Sequence, residues 1–409
     1  MNERKIVILL GDGMADLPIE SFGNRTFLQY ANTPNMDSIA VKGIAGMAKT
    51  VPDGMGPGSD TANLSIFGYN PKEHYTGRAP LEALNIGIKL APNDAAFRCN
   101  LVNIKNDIMN DFSADHIDTE FASIVINELA DNIKIPDIEF YSGVSYRNIV
   151  VWRNFPYDKI TSATPPHDIT DKNILNYLPH GDGADVLFKI MEESVKIISQ
   201  SETIKKAATN YKGNPTSAWL WGGGRCPNIL TLKDKFGLEG HTISAVDLIH
   251  GIGRAAGLSP IPVEGATGYI DTNYAGKVAA LRDALKLKNF VYLHVEAPDE
   301  SGHKGNIEHK LQAVQDFDAK VVGPVLEILS NYKEYSLLVM PDHPTPIVLK
   351  THTSDPVPFC MLRTGGFEFN DKHAKAYNEV DCSETGLFIE DAHRLIELMI
   401  FGELGIKKC

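Results

Sequence analysis

The chain is poor in three things. It has five cysteines, Cys99, Cys226, Cys360, Cys382 and Cys409, an odd number with no Cys-x-x-Cys pair. That pattern speaks against a disulfide framework and against a thiolate metal site, and it suits a reduced, cytoplasmic compartment. It has no apolar run near the ~18–20 residues that span a bilayer. The run Ile6–Leu10, entered directly from Met1–Lys5, is too short for a signal-peptide core and reads as structure. It is also short of positive charge, with 39 Lys plus Arg against 52 Asp plus Glu and a net charge of −13. A duplex-wide nucleic-acid surface and an anionic membrane partner are therefore not expected, whereas a small anionic substrate held by a few arginines or metal ions is compatible.

What is present suits a soluble globular protein: 409 residues, 43% hydrophobic and 22% charged, enough for two domains. Three apolar runs lead into acidic residues. Ile6–Leu10 runs into Gly11-Asp12-Gly13, Phe290–Val295 into Glu296-Ala297-Pro298-Asp299, and Ser336–Met340 into Pro341-Asp342-His343. Such runs, separated by amphipathic stretches, read as buried parallel strands of a layered α/β domain, whose ligands gather at the carboxyl edge. Apolar spacings of three and four predict helices over Leu81–Leu84, Val186–Ile198, Ser244–Ala256, Ala275–Leu285, Ile307–Leu329 and Asp391–Phe401. The alternating segments Phe97–Ile104 and Tyr146–Trp152 predict half-exposed strands of an inserted unit. The expected division is a discontinuous catalytic domain, 1–92 and 218–409, with an insertion over 93–217.

Each candidate motif has a bland reading when it stands alone. Gly11-Asp12-Gly13 is turn chemistry, Asp299-Glu300-Ser301-Gly302-His303 an N-cap with a solvated His, and Asp342-His343 and His352 loop residues. Taken together, three Asp and three His at strand ends supply mixed oxygen and nitrogen ligands for two divalent ions, with Mn²⁺, Mg²⁺ and Zn²⁺ all compatible. Beside them, Asp53-Gly54-Met55-Gly56-Pro57-Gly58-Ser59 is a Gly-rich loop that sets Ser59 at the start of a helix over Ser59–Phe67. Ser59 there is either an N-cap or a metal-activated nucleophile beside a phosphate-binding helix start. The chain has no Gly-x-Ser-x-Gly elbow for acyl transfer and no Cys-x-Pro-x-Arg sulfatase pattern, so phosphoryl transfer through a seryl-phosphate is the chemistry to expect.

These residues resemble the alkaline phosphatase superfamily. With Pro34-Asn35-Met36-Asp37, Thr76-Gly77-Arg78-Ala79-Pro80-Leu81-Glu82, Phe97-Arg98-Cys99-Asn100, Gly265-Ala266-Thr267-Gly268 and Asp355-Pro356-Val357-Pro358-Phe359, the chain resembles the archaeal-type cofactor-independent (2,3-bisphosphoglycerate-independent) phosphoglycerate mutases nearly end to end. The resemblance implies an alkaline-phosphatase-like sheet domain with a smaller inserted α/β domain that closes over it. It implies one ion on Asp299, His303 and His352, and a second on Asp12, Asp342 and His343 with Ser59 as its nucleophilic ligand. It implies a catalytic Lys235. Substrate contacts are expected from Arg98, His116, Arg147, His167, Asp168 and Arg225, with His116 and His167 as acid/base candidates.

The implied activity interconverts 3-phosphoglycerate and 2-phosphoglycerate. The segments Asp111–His116, Trp219–Arg225 and Thr164–Asp168 depart from the archaeal pattern and resemble a bacterial branch with a proposed homoserine kinase role. Phosphoryl transfer to homoserine and plain phosphomonoester hydrolysis are therefore the alternatives.

Overall fold

The computed structural model describes residues 4–160, 163–369 and 371–404. The chain divides into two compact units, Met1–Tyr75 with Ile229–Cys409, and Thr76–Asn228. The expected boundaries at 92/93 and 217/218 lie inside the second unit. The reason is the helix Arg78–Asn85, whose Ala79 and Ala83 pack with Ala96, Ile149 and Val151 of the second unit. Its amphipathic period fits a cover for either sheet, so periodicity does not say which sheet it covers.

The first unit is built on an eight-stranded sheet. Its order is Phe388–Ile389, Ile44–Ala48, Val357–Arg363, Tyr335–Met340, Lys5–Gly11, Phe290–Val295, Gly240–Ile243, Ser259–Pro260. Lys5–Gly11 lies at the centre, parallel to both neighbours, with Leu10 level with Met340 on one side and His294 on the other. Phe290–Val295 in turn runs parallel to Gly240–Ile243, with Leu293 level with Ile243. Strands buried on both faces need apolar residues at every position, hence the uninterrupted Ile6–Leu10. One face of the Phe290 strand places Val291, Leu293 and Val295 in the main core with Leu281, Phe317 and Leu329. The opposite face carries Phe290, Tyr292 and His294. Because the central strands are parallel and in step, Asp12, Asp342 and Glu296 follow them at one carboxyl edge.

Two predicted helices differ in detail. The helix predicted from Ser244 starts at Asp247, leaving Ser244 in the loop. The Ile307–Leu329 stretch is interrupted by a π turn over Asp318–Val322. There Asp318 turns its carboxylate to the backbone N–H groups of Asn35 (3.3 Å) and Met36 (2.7 Å), capping a helix whose own N-cap, Thr33, makes no side-chain bond.

The second unit is an antiparallel five-stranded sheet around Ala95–Lys105, which pairs with Ile108–Asp111, Arg147–Trp152 and Ser217–Arg225, while Ile138–Val144 pairs with Arg147–Trp152. Phe97, Leu101, Phe121, Ile126, Leu187 and Trp219 belong to its core, under the helices Thr119–Asn132 and Ala184–Gln200. Among the described residues, no helix is long and apolar enough to cross a membrane.

Candidate metal centre and nucleophile

Asp12 lies one residue beyond its strand, in a turn that requires glycine. Gly13 has φ +61°, and a Cβ there would come within 2.9 Å of the Asp299 Cα. The same close approach lets the Gly13 N–H donate to Asp342 Oδ1 at 3.2 Å. Asp299 and His303 sit four apart on the short helix Ala297–His303, on one face. Beneath these loops, Lys310 and Asp16 form a fully buried pair at 2.7 Å. The Lys310 ammonium also donates to the Thr345 carbonyl at 2.7 Å, while Asp16 accepts from the Ile347 N–H, so the two side chains lock the loops after the Lys5 and Tyr335 strands together.

The geometry brings the six predicted acidic and imidazole residues to one place. Asp299, His343 and His352 offer ligand atoms within 4.8 Å of one another, as do Asp12, Asp342 and His343. His303 Nε2 lies 2.8 Å from His352 Nε2 and 3.2 Å from Asp299 Oδ2. A third carboxylate-only group joins Asp12 and Asp299 with Glu296.

The histidine orientations are informative. His303 Nδ1 faces the Lys350 carbonyl at 2.9 Å, and His352 Nδ1 the Pro57 carbonyl at 2.9 Å. A carbonyl can only accept, so both Nδ1 atoms carry the proton. Thr345 donates its hydroxyl to Asp299 Oδ1, which leaves Thr345 Oγ1 to accept from His343 Nδ1 at 3.2 Å. All three Nε2 atoms therefore converge, the arrangement that outer hydrogen bonds impose on metal-binding histidines.

Electrostatics agree. Burial, then the charges of Asp342, Asp299 and Glu296, push the Asp12 carboxyl well above its usual range. Burial opposes ionisation of Asp299 as well, but His303 and His352 outweigh it and hold that carboxyl well below its usual range. Burial also lowers His303, yet Asp299 overcomes it and raises the imidazole to about 9. His343 and His294 are both depressed by burial, His294 to about 3. Asp12 Oδ1 is buried and accepts no hydrogen bond among the described residues. A buried carboxylate oxygen without a donor among the described residues, crowded by like charges and with imidazole nitrogens close by, is chemically suited to a divalent cation.

Ser59 is the first residue of the helix Ser59–Ile66, and Gly58 is its N-cap. The Ser59 hydroxyl is thus not spent on capping; its Oγ lies 3.1 Å from His343 Nε2. Asn63, one turn on, donates to the Ser59 carbonyl and to Asp342 Oδ2, both at 2.8 Å, and accepts from the Tyr292 hydroxyl.

Lys235 meets that helix at its other end. Its ammonium donates to the Gly68 carbonyl at 2.6 Å and lies over the Tyr69 ring, beyond the helix end opposite Ser59. An eight-residue helix is roughly 12 Å long, so the lysine anchors the far end instead of touching the hydroxyl.

The six residues predicted for substrate contacts all belong to the second unit. Arg98 is buried, 2.9 Å from Glu82 and stacked 4.3 Å over Trp221. His167 packs against the other partners of that string, Trp221 and Phe112. Phe112 leads to Tyr146, which both Arg147 and His116 approach. Asp168 is exposed beside His167. Arg225 differs: its guanidinium donates to the Tyr157 carbonyl at 2.6 Å and faces Phe155, so it fastens a loop.

Sequence reasoning passed over His294, Asn63 and Thr345. The signal for His294 was a polar residue inside an otherwise apolar strand, and for Asn63 its place one helical turn after Ser59.

A family model described as 2,3-bisphosphoglycerate-independent phosphoglycerate mutase matches residues 40–203. A protein of that name from Methanosarcina mazei is 48% identical over 397 residues, 97% of this chain and 99% of the relative. Among solved structures, the PH0037 protein from Pyrococcus horikoshii superposes with a TM-score of 0.79 at 27% identity, covering 98% of this chain and 97% of its own. A cofactor-independent phosphoglycerate mutase from Thermoplasma acidophilum shares the fold with a TM-score of 0.64 at 22% identity, covering 98% of this chain and all of its own.

Proposed function

The chain belongs to the 2,3-bisphosphoglycerate-independent phosphoglycerate mutase family, and from that premise we propose that it interconverts 3-phosphoglycerate and 2-phosphoglycerate through a phosphoserine on Ser59. The observation that carries the reading is the Ser59 hydroxyl set beside three converging imidazole nitrogens and three buried aspartates.

Asp299, His303 and His352 would hold one divalent cation, and Asp12, Asp342 and His343 the other, beside Ser59. Mn²⁺ or Mg²⁺ suits this mixed oxygen and nitrogen set, and Zn²⁺ is compatible. When bound, such cations supply charge neutralisation at the phosphoryl oxygens and acidify a neighbouring hydroxyl.

The chain's own residues do the rest. Ser59 gives up its hydroxyl proton as Oγ attacks phosphorus and the bond to the glycerate oxygen breaks, and that leaving oxygen takes up a proton in exchange. The other glycerate hydroxyl then takes the phosphoryl group from Ser59 and gives up its proton, restoring the serine. Asn63 fixes the Ser59 backbone, so the hydroxyl stays on line at the helix start, where backbone N–H groups favour a phosphate. Arg98 and Arg147 supply guanidinium forks for the substrate's anionic groups, and His116 or His167 exchanges the alcohol proton. Lys235 and Arg225 serve as anchors of the fold.

The test is the purified protein with Mn²⁺ or Mg²⁺ and 3-phosphoglycerate. Formation of 2-phosphoglycerate is expected, as is a phosphoryl-sized mass increase on the Ser59 peptide after brief exposure. Ser59→Ala should lose at least about 10³-fold in kcat with an unchanged thermal transition. Dominant release of free phosphate, or transfer to added homoserine without isomerisation, would overturn the assignment.

A further inference from the structure

The carboxyl edge of the first unit holds one polar chain that the reaction does not consume. It crosses three adjacent parallel strands. Ser244 follows Gly240–Ile243, His294 is the fifth residue of Phe290–Val295, and Asp12 follows Lys5–Gly11. The in-step pairing of Leu293 with Ile243 sets Ser244 level with His294, and the pairing of Leu10 with His294 sets Asp12 two residues farther along its own chain.

His294 is fully buried. Its Nε2 lies 2.8 Å from Asp12 Oδ2, and its Nδ1 lies 3.1 Å from Ser244 Oγ. The direction of each bond can be read. The Val246 N–H donates to Ser244 Oγ at 2.9 Å, which frees the serine hydrogen to point at Nδ1. Nε2 then carries the ring proton, and a carboxylate can only accept it. The strand itself is fixed at this point, because the buried Lys277 ammonium donates to the His294 carbonyl at 2.9 Å.

We propose that His294 is a positioning residue: through Nε2–H it holds Asp12 Oδ2, turning Oδ1 toward the cation-binding group, with Ser244 fixing the tautomer. This rests on the reading of Asp12 as a metal ligand. Two observations support it. Asp12 Oδ1 has no hydrogen-bond donor among the described residues and lies 3.7 Å from His343 Nε2. The same strand face treats the second aspartate alike, since Tyr292 donates to Asn63, which donates to Asp342 Oδ2. A face that would otherwise be plain core therefore aims two carboxylates. A residue that orients a ligand from behind sets affinity and leaves the ligand in place, an effect of about 10–100-fold in other metal sites.

The experiment titrates Mn²⁺ alone into the metal-stripped full chain, reading free Mn²⁺ by its electron paramagnetic resonance signal. Asp12→Asn should abolish one class of binding. His294→Leu should weaken that same class by about 10–100-fold, and kcat should recover at saturating Mn²⁺. His294→Gln, whose amide N–H reaches the place of Nε2–H, should restore most of the affinity. A folded His294→Leu protein that binds Mn²⁺ like the unaltered chain, while Asp12→Asn does not, overturns the positioning role and spares the ligand reading. Normal binding by Asp12→Asn overturns both. Should His294→Leu fail to fold, ¹⁵N ring shifts of the Mg²⁺-loaded protein decide: an Nε2–H tautomer that Ser244→Ala loosens sustains the proposal, and an Nδ1–H tautomer sinks it.

Discussion

Glu82 in the inserted unit and Asp12 in the catalytic unit are both carboxylates taken out of water, yet they respond in opposite directions. Burial raises both. Glu82 has Arg98 at 2.9 Å and Arg78 at 2.8 Å, and these overcome burial and pull its carboxyl below the usual range. Asp12 has carboxylates for charged neighbours, and its carboxyl is pushed up. The sign in each case is set by the charges that neighbouring elements contribute. The charge of Glu82 is answered within the chain. That of the aspartate cluster is not, and that incompleteness marks it as a place for a cation from solution.

Breaking the contrast at its strongest point means removing the cation. Treatment with a chelator, then gel filtration, should abolish mutase activity, and added Mn²⁺ should restore it; activity that survives chelation would remove the aspartate cluster from the chemistry. Next in size is Glu82→Gln, which leaves buried Arg98 without its counter-charge and should cost about 3 kcal/mol in urea unfolding. Its sign with pH is fixed. A carboxyl lowered in the folded state contributes stability that is present above its ordinary value of 4.5 and is lost as pH falls. The unaltered protein should therefore lose more stability on acidification below 4.5 than the Gln variant. Smallest is Asp12→Asn in metal-free protein. A raised carboxyl makes the folded state less stable as pH rises above its ordinary value of 3.8, so the substitution should raise metal-free stability at neutral pH while destroying metal binding. A loss of metal-free stability in that variant would contradict the contrast.

Much of the candidate site was legible in the chain because its members are adjacent to strands. Asp12, Asp299 and Asp342 stand just past apolar runs, and parallel strands in register bring their trailing residues to a single edge. The supporting residues were harder to see. His294 lies within such a run, and only the pairing register shows that it faces Ser244 and Asp12 instead of the core. Thr345 and Asn63 fell inside motifs that were read for other members. Ser59 could have been a cap until Gly58 was seen to fill that position. Lys235 and Arg225 are cations whose sequence context reads as functional, but each satisfies a backbone carbonyl, a use no local pattern distinguishes. Arg78 and Glu82 were noted as family motif only, because an arginine–carboxylate pair four apart reads as a surface helix bridge unless a third partner, here Arg98, closes over it.

Gly13 carries one last implication. Its missing methyl leaves the gap into which Thr345 and the Asp299 backbone fit, so loops about 290 and 330 residues apart in sequence share a single atom's worth of room. Gly13→Ala should therefore push on Thr345 and Asp299 and lower mutase turnover in the 3-phosphoglycerate assay.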